Sequence, residues 1–268
     1  MIRLKMQAHN SATSERLKNA TWYFFDLDDT LHEFRKASSA AVDATLRLIL
    51  QSHARHQRSS GEPLTIAELK AEYFKILKIG TSAAFVDGKT SHEYRAERIQ
   101  GVMNAFGIDC TEQQMQALLD TYETAITRNL QLKEGAIPLL QTLKQRGKSI
   151  AIITEGPQDS QERTVAALGL EPYFDRLITT NKLGVAKIDG LFGKALDMVG
   201  VKSKEVVVVG DSWDRDIVPA VKAGIKCVWF AEKDEGGEGL VAVKGGESRV
   251  ILVNSLGRLQ SMIPEAQN

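Results

Sequence analysis

The 268-residue chain is poor in cysteine, has no excess of either charge, and lacks any long apolar run. Its two cysteines, Cys110 and Cys227, lie far apart and without metal-ligand spacing. That excludes a disulfide scaffold or a zinc module and predicts reduced thiols in a cytoplasmic protein. Lys plus Arg balance Asp plus Glu at 34 each, whereas a nucleic-acid or membrane-surface partner would call for a basic surplus. No apolar stretch approaches the roughly 18 residues of a membrane span. Residues 1–20 are basic but carry no apolar h-region, which argues against a secretory signal. They read as a flexible leader, and Glu15 with only two arginines argues against an organellar one. Internal repeats and low-complexity segments are absent too.

What is present is ordinary for a folded protein, 43% hydrophobic and 25% charged residues. The length suits one large domain or two unequal ones, with enough core to be stable unaided. From residue 149 onward, continuous apolar runs alternate with helical patterns. Strands are predicted at residues 149–154, 176–180, 205–211, 226–230 and 249–253, with helices at 159–168, 191–199 and 214–223. Such runs separated by helices imply a parallel sheet covered on both faces. One more strand, 22–25, stands far upstream. Between it and residue 149 the pattern turns helical, with helices predicted at 37–51, 65–77, 91–106 and 111–127, broken by polar segments at 55–63 and 78–91. "TEQQ" (111–114) has capping-box form. The expected architecture is therefore α/β, a Rossmann-like doubly wound parallel sheet interrupted by an all-helical domain. Residues 21–36 and 133–268 form the core, and 37–132 the insert.

The stretch "FFDLDDTL" (24–31) drives a buried strand straight into three aspartates. Two carboxylates about 4 Å apart repel by roughly 4 kcal/mol at an effective dielectric of 20, so a positive partner or a shared proton is required. In open parallel sheets ligands bind beyond the carboxyl ends of the strands. Polar groups collect there: Asp26, Asp28, Asp29 and Thr30 after the first strand, Thr154 and Glu155 after the second, Lys182 and Lys187 past the third, and Asp211, Ser212, Asp214 and Asp216 after the valine strand.

Four of these segments, "DLDDT" (26–30), "IIT" (152–154), Lys187 in "GVAKIDG" and "GDSWDRD" (210–216), occur in order. Together they resemble the motifs of the haloacid dehalogenase superfamily, in its phosphatase branch with a helical cap inserted after the first motif. The resemblance implies Mg²⁺ as the missing positive charge, with Lys187 beside it. It implies Asp26 as nucleophile, forming an aspartyl-phosphate, and Asp28 as general acid and then base. Asp26, Asp211 and the backbone carbonyl of Asp28 would hold the cation through hard oxygens, with Asp216 orienting a metal-bound water. Thr154, Glu155 and Lys187 would line the phosphoryl site. Two departures stand out: Ile188 replaces a common proline after the lysine, and Glu155 a frequent small polar residue.

Competitors remain at several positions. Asp214 rivals Asp216, as a helix N-cap or metal partner, and the longer spacing favours Asp216. Lys182 rivals Lys187, whose "GVAK" context favours it. Asp29 reads as a turn residue. His32, His92, Tyr94, Arg95 and Arg98 either line a substrate pocket or, in "HEYRAERIQ", form a solvated amphipathic face, the reading preferred here. The three tryptophans and the methionines read as core.

The function implied is a Mg²⁺-dependent phosphatase for a small phosphomonoester, a sugar phosphate, nucleotide or phospho-acid, with no nucleic-acid or membrane partner. A phosphotransferase or mutase of the same superfamily is the nearest rival, and a non-catalytic phosphate-binding protein the one from another class. Nothing demands more than a monomer, a weak homodimer being the alternative.

Overall fold

A computed structural model of the protein describes residues 17, 19–53, 63–80, 84–232, 239–242 and 249–263. Most of the expected leader, and the polar segment at 55–63 apart from Pro63, lie outside the described residues. Strand β1 (Trp22–Phe25) is followed by α1 (Phe34–Ser52), α2 (Ile66–Gly80), α3 (Ser91–Ala105) and α4 (Glu112–Arg128). Then come α5 (Ala136–Gln145), β2 (Ser149–Thr154), α6 (Gln158–Ala167), β3 (Arg176–Thr179), the short α7 (Thr180–Leu183) and α8 (Leu191–Val199). Strand β4 (Val206–Gly210) leads through a wide turn (Trp213–Ile217) into α9 (Val218–Lys222). The chain continues with β5 (Lys226–Phe230), β6 (Gly239–Ala242), β7 (Arg249–Val253) and α10 (Leu256–Met262).

The strands form one sheet in the order β3-β2-β1-β4-β5-β7-β6. All neighbours are parallel except β6, which runs antiparallel to β7 at the edge. That edge strand escaped the sequence reading because "GLVA" is short and pairs on one side only, so it needs no long apolar signature. The central strands do, since both their faces are covered. Tyr23 and Phe25 pack with Leu139, Leu143 and Leu259 on one face, while Phe24 packs with Leu191, Phe192 and Ile217 on the other. Alternation of side chains along a strand separates the two layers.

A third apolar cluster belongs to α1–α4 alone, built around Leu46, Leu69, Ile99, Met103 and Leu118. Capping boxes at Thr90 and Thr111 start α3 and α4, the second as "TEQQ" predicts. Helix α1 begins at Phe34, a turn earlier than the expected 37, because Phe34 and Ala37 both contribute to this cluster. The chain enters the helical block and leaves it side by side: Glu33 N donates to Gln131 O at 2.9 Å, and Lys133 N to Leu31 O at 2.9 Å. Not every sulfur or indole is core. Met198 is exposed, and Trp22, Trp213 and Trp229 are only partly buried. Among the described residues no helix is long and apolar enough to cross a membrane.

Candidate active site

Register brings the strand tips level: Phe25 lies opposite Ile152 on one side and Val209 on the other. The residues that follow each strand therefore converge. Asp26 leaves β1 with its N–H donating to Val209 O at 2.9 Å. Its carboxylate accepts from Thr30 Oγ1 at 2.9 Å and from Lys187 Nζ at 2.6 Å. Thr30 in turn accepts from Asp211 N at 3.0 Å, so one hydroxyl ties the first and fourth strand tips together. Lys187 Nζ makes a second contact of 2.6 Å, to Asp216 Oδ1, and Asp216 Oδ2 accepts from Ser212 N at 3.0 Å. Gly210 is obligatory beside this group, since a Cβ there would sit 2.5 Å from the Asp216 carboxyl.

The three carboxylates of Asp26, Asp211 and Asp216 each offer an oxygen, and these oxygens lie within 4.8 Å of one another. Burial pushes the Asp26 carboxyl well above the ordinary range; Lys187 opposes the shift, while Asp216, Asp211 and Asp28 reinforce it. Burial also raises Asp211, helped by Asp216. Lys187 loses hydration through burial, yet Asp216 and Asp26 outweigh that loss and hold its ammonium protonated above the usual range. Three carboxylates against Lys187 and the exposed Arg35, 3.3 Å from Asp211, still leave a deficit of positive charge, and hard oxygens at this spacing suit a divalent cation of the Mg²⁺ type.

Asp28 reaches His32, with Oδ1 2.8 Å from Nε2. His32 is completely buried and its Nδ1 finds no partner among the described residues. It stands behind Asp28 and does not line the cavity, contrary to its reading as a substrate-pocket residue. Asp29 takes a left-handed φ of 62° and accepts from Arg35 N at 3.0 Å, the turn role expected of it. Thr154 is fully buried, donating to Gln161 Oε1 at 3.3 Å. Glu155 lines the cavity, with its side chain engaged by the protein. Its Oε1 accepts from Lys187 N at 3.2 Å and its Oε2 pairs with Arg215 at 3.0 Å, so the carboxylate braces the lysine loop and offers a phosphate no donor. Asp214 and Lys182, the two competitors, are exposed, and the cap of the turn after β4 is Ser212, accepting from Arg215 N.

A cavity of about 280 Å³ opens over these groups, walled by strand tips below and α1–α4 above. The "HEYRAERIQ" helix is not a solvated face throughout: Tyr94 and Arg95 are buried, and Arg95 and Arg98 reach the cavity, while His92 stays exposed. Arg95 pairs with Glu123 and stacks 4.5 Å over the Tyr122 ring. Thr30, Gln161, Ser212 and Arg215 were given no role from sequence. Thr30 had a signal, its fixed place four residues after Asp26, whereas Gln161 had none.

The family model for haloacid dehalogenase-like hydrolases matches residues 21–224. A glyceraldehyde 3-phosphate phosphatase of Methanocaldococcus jannaschii is 27% identical over 202 residues, 75% of this chain and 80% of that one. The pyrimidine 5'-nucleotidase YjjG of Escherichia coli is 35% identical over 109 residues, 40% of this chain and 48% of its own. A solved structure of the HAD-hydrolase YfnB from Bacillus subtilis bound to magnesium shares the fold, with TM-score 0.66, 21% identity, and coverage of 92% of this chain and 99% of that one.

Proposed function

Because the chain belongs to the haloacid dehalogenase-like hydrolases, and relatives it matches are phosphatases, we propose that this phosphoric monoester hydrolase works through an aspartyl-phosphate on Asp26 and uses Mg²⁺. The observation that carries the reading is the convergence, on one cavity, of Asp26, Thr154, Lys187 and Asp211 from four separate strand tips and loops. Asp26, Asp211 and the Asp28 carbonyl hold the cation, which when bound supplies the positive charge that lets an anionic phosphate approach carboxylates. Asp216 serves from behind through Lys187 and Ser212.

An Asp26 oxygen attacks phosphorus as the bond to the substrate's ester oxygen breaks, and Asp28 protonates the departing oxygen. Asp28 then takes a proton from water as that water attacks the phosphoryl-Asp26, releasing inorganic phosphate and restoring the carboxylate. His32 fixes the Asp28 carboxyl from its buried side. Thr154 and Lys187 donate to the phosphoryl oxygens whose charge spreads in the transition state. The α1–α4 block acts as a cap, excluding bulk water from the phosphoryl-enzyme and choosing a small phosphorylated metabolite.

Hydrolysis of an aryl phosphate, with Mg²⁺ and with chelator, by wild type and Asp26→Asn tests the proposal. Metal-dependent turnover that falls to background in Asp26→Asn is expected. Turnover surviving that change would remove Asp26 as nucleophile. No wild-type turnover, with Asp26 still labelled by a phosphodonor, would make the protein a phosphotransferase.

A further inference from the structure

Resting on that phosphatase reading, the substrate class can be narrowed from the charge that the cavity wall leaves unmatched. Five arginines line the cavity: Arg35, Arg95, Arg98, Arg163 and Arg215. Four have carboxylate partners: Arg35 pairs with Asp29 and Asp211, Arg95 with Glu123, Arg163 with Glu123 and Asp159, and Arg215 with Glu155. Arg98 has no carboxylate among the described residues. Its one hydrogen bond among the described residues runs from Nη1 to the Tyr73 hydroxyl at 3.5 Å, beyond the ordinary range.

Tyr73 cannot neutralise it, because burial raises the phenol's pKa and keeps it uncharged. A guanidinium stays protonated and offers five donors in a planar fork. Half-buried on α3, one turn beyond Arg95, Arg98 belongs to the helical side of the cavity, while Asp26 belongs to the sheet side. A half-buried guanidinium facing a cavity without a carboxylate partner keeps donors free for a ligand. The volume, about 280 Å³, lies at the lower end of ligand pockets and limits the occupant to a small metabolite.

We propose that Arg98 binds a second oxyanion of the substrate, a carboxylate or a phosphate, at the end away from the scissile group. The enzyme then prefers acidic phosphomonoesters to those with a neutral tail. The fork geometry suits either oxyanion bidentately and gains nothing comparable from a hydroxyl.

The test compares kcat/KM for glycerol 3-phosphate, 3-phosphoglycerate and propane-1,3-diol bisphosphate in wild type, Arg98→Met and Arg98→Lys. Wild type should favour at least one of the two substrates with an acidic second end over glycerol 3-phosphate by about 10- to 100-fold, a charge-assisted bond's worth. Which of the two wins separates carboxylate from phosphate. The ratio should collapse towards unity in Arg98→Met, mainly through KM, and fall less in Arg98→Lys. A wild-type ratio near unity, or one kept in both variants, overturns the assignment. If wild type hydrolyses none of the three, the aryl phosphate assay decides the phosphatase reading separately. Calorimetric binding of the same three compounds to the same proteins then decides Arg98: an affinity preference lost in Arg98→Met supports it, and equal affinities overturn it.

Discussion

Lys187, 3% exposed, contacts Asp26 and Asp216 at 2.6 Å each, and both carboxylates are buried too. An ion triad of this kind has small net worth when intact, because desolvation offsets its Coulomb gain, but losing one member leaves charge buried without a partner. Lys187→Met should therefore destabilise the fold by about 3–5 kcal/mol in urea unfolding at neutral pH. Adding Asp216→Asn to it should restore part of that loss, since one of the stranded charges is gone. A double variant no more stable than the single would contradict the triad as the cause. Asp26 was legible in the sequence because it follows at once on a run of buried strand residues, where charge is conspicuous, while Lys187 and Asp216 were marked by the motifs they stand in. Their braces were not. Gln161 beside Thr154, and Arg215 on Glu155, depend on where a helix and a turn land after folding, which no local pattern encodes.

Elements show the same division. Helix α3 carries Arg95 and Arg98 three residues apart, and charge at that spacing ordinarily marks a solvated face. Here the face turns towards Tyr73 and Tyr122, and only tertiary packing could reveal it. The start of α3 is also held by α6: Asp159 accepts from Ser91 N at 2.9 Å and from Ser91 Oγ at 2.6 Å, and Arg163 donates to Ser91 Oγ at 2.7 Å. Burial pushes the Asp159 carboxyl upward, but the Ser91 donors and Arg163 outweigh it, and the net shift is downward. A carboxyl whose folded pKa lies below its unfolded value, about 3.9, stabilises fully above that value and loses the effect as pH falls through the folded one. Asp159→Asn should thus cost about 1 kcal/mol at pH 7, allowing for solvent screening, and markedly less at pH 3.5. Urea midpoints of the two proteins at both pH values measure it, and a pH-independent difference would mean that charge plays no part.

Across the whole molecule, the helical block rests on the sheet through backbone as well as side chains. Thr180 Oγ1 donates to Ala84 O at 2.6 Å, and Asn181 Nδ2 to Phe85 O and Lys89 O at 3.0 Å each. The carboxylates of Asp26, Asp211 and Asp216 lie close enough to share one ion, with Lys187 as their buried cation. A cation that binds this constellation has no equivalent site in the unfolded chain, where the three residues are scattered, so its binding free energy adds to folding. At 100 times its dissociation constant the gain is about 2.7 kcal/mol, which for a chain near this length raises the melting temperature by roughly 5–10 °C. Mg²⁺ should produce that rise over a chelated sample, and NaCl at matched ionic strength should not, because screening alone does not fill a site of converging oxygens. Asp211→Asn withdraws one charged oxygen while leaving the Lys187 contacts intact, so it should abolish most of the Mg²⁺ shift without lowering the chelated melting temperature. Its effect on the chelated protein should even be mildly favourable, because burial and Asp216 already disfavour that charge. Melting curves of both proteins with chelator, NaCl and MgCl₂ decide the matter. An equal shift in NaCl, or a full Mg²⁺ shift in Asp211→Asn, would place the cation elsewhere.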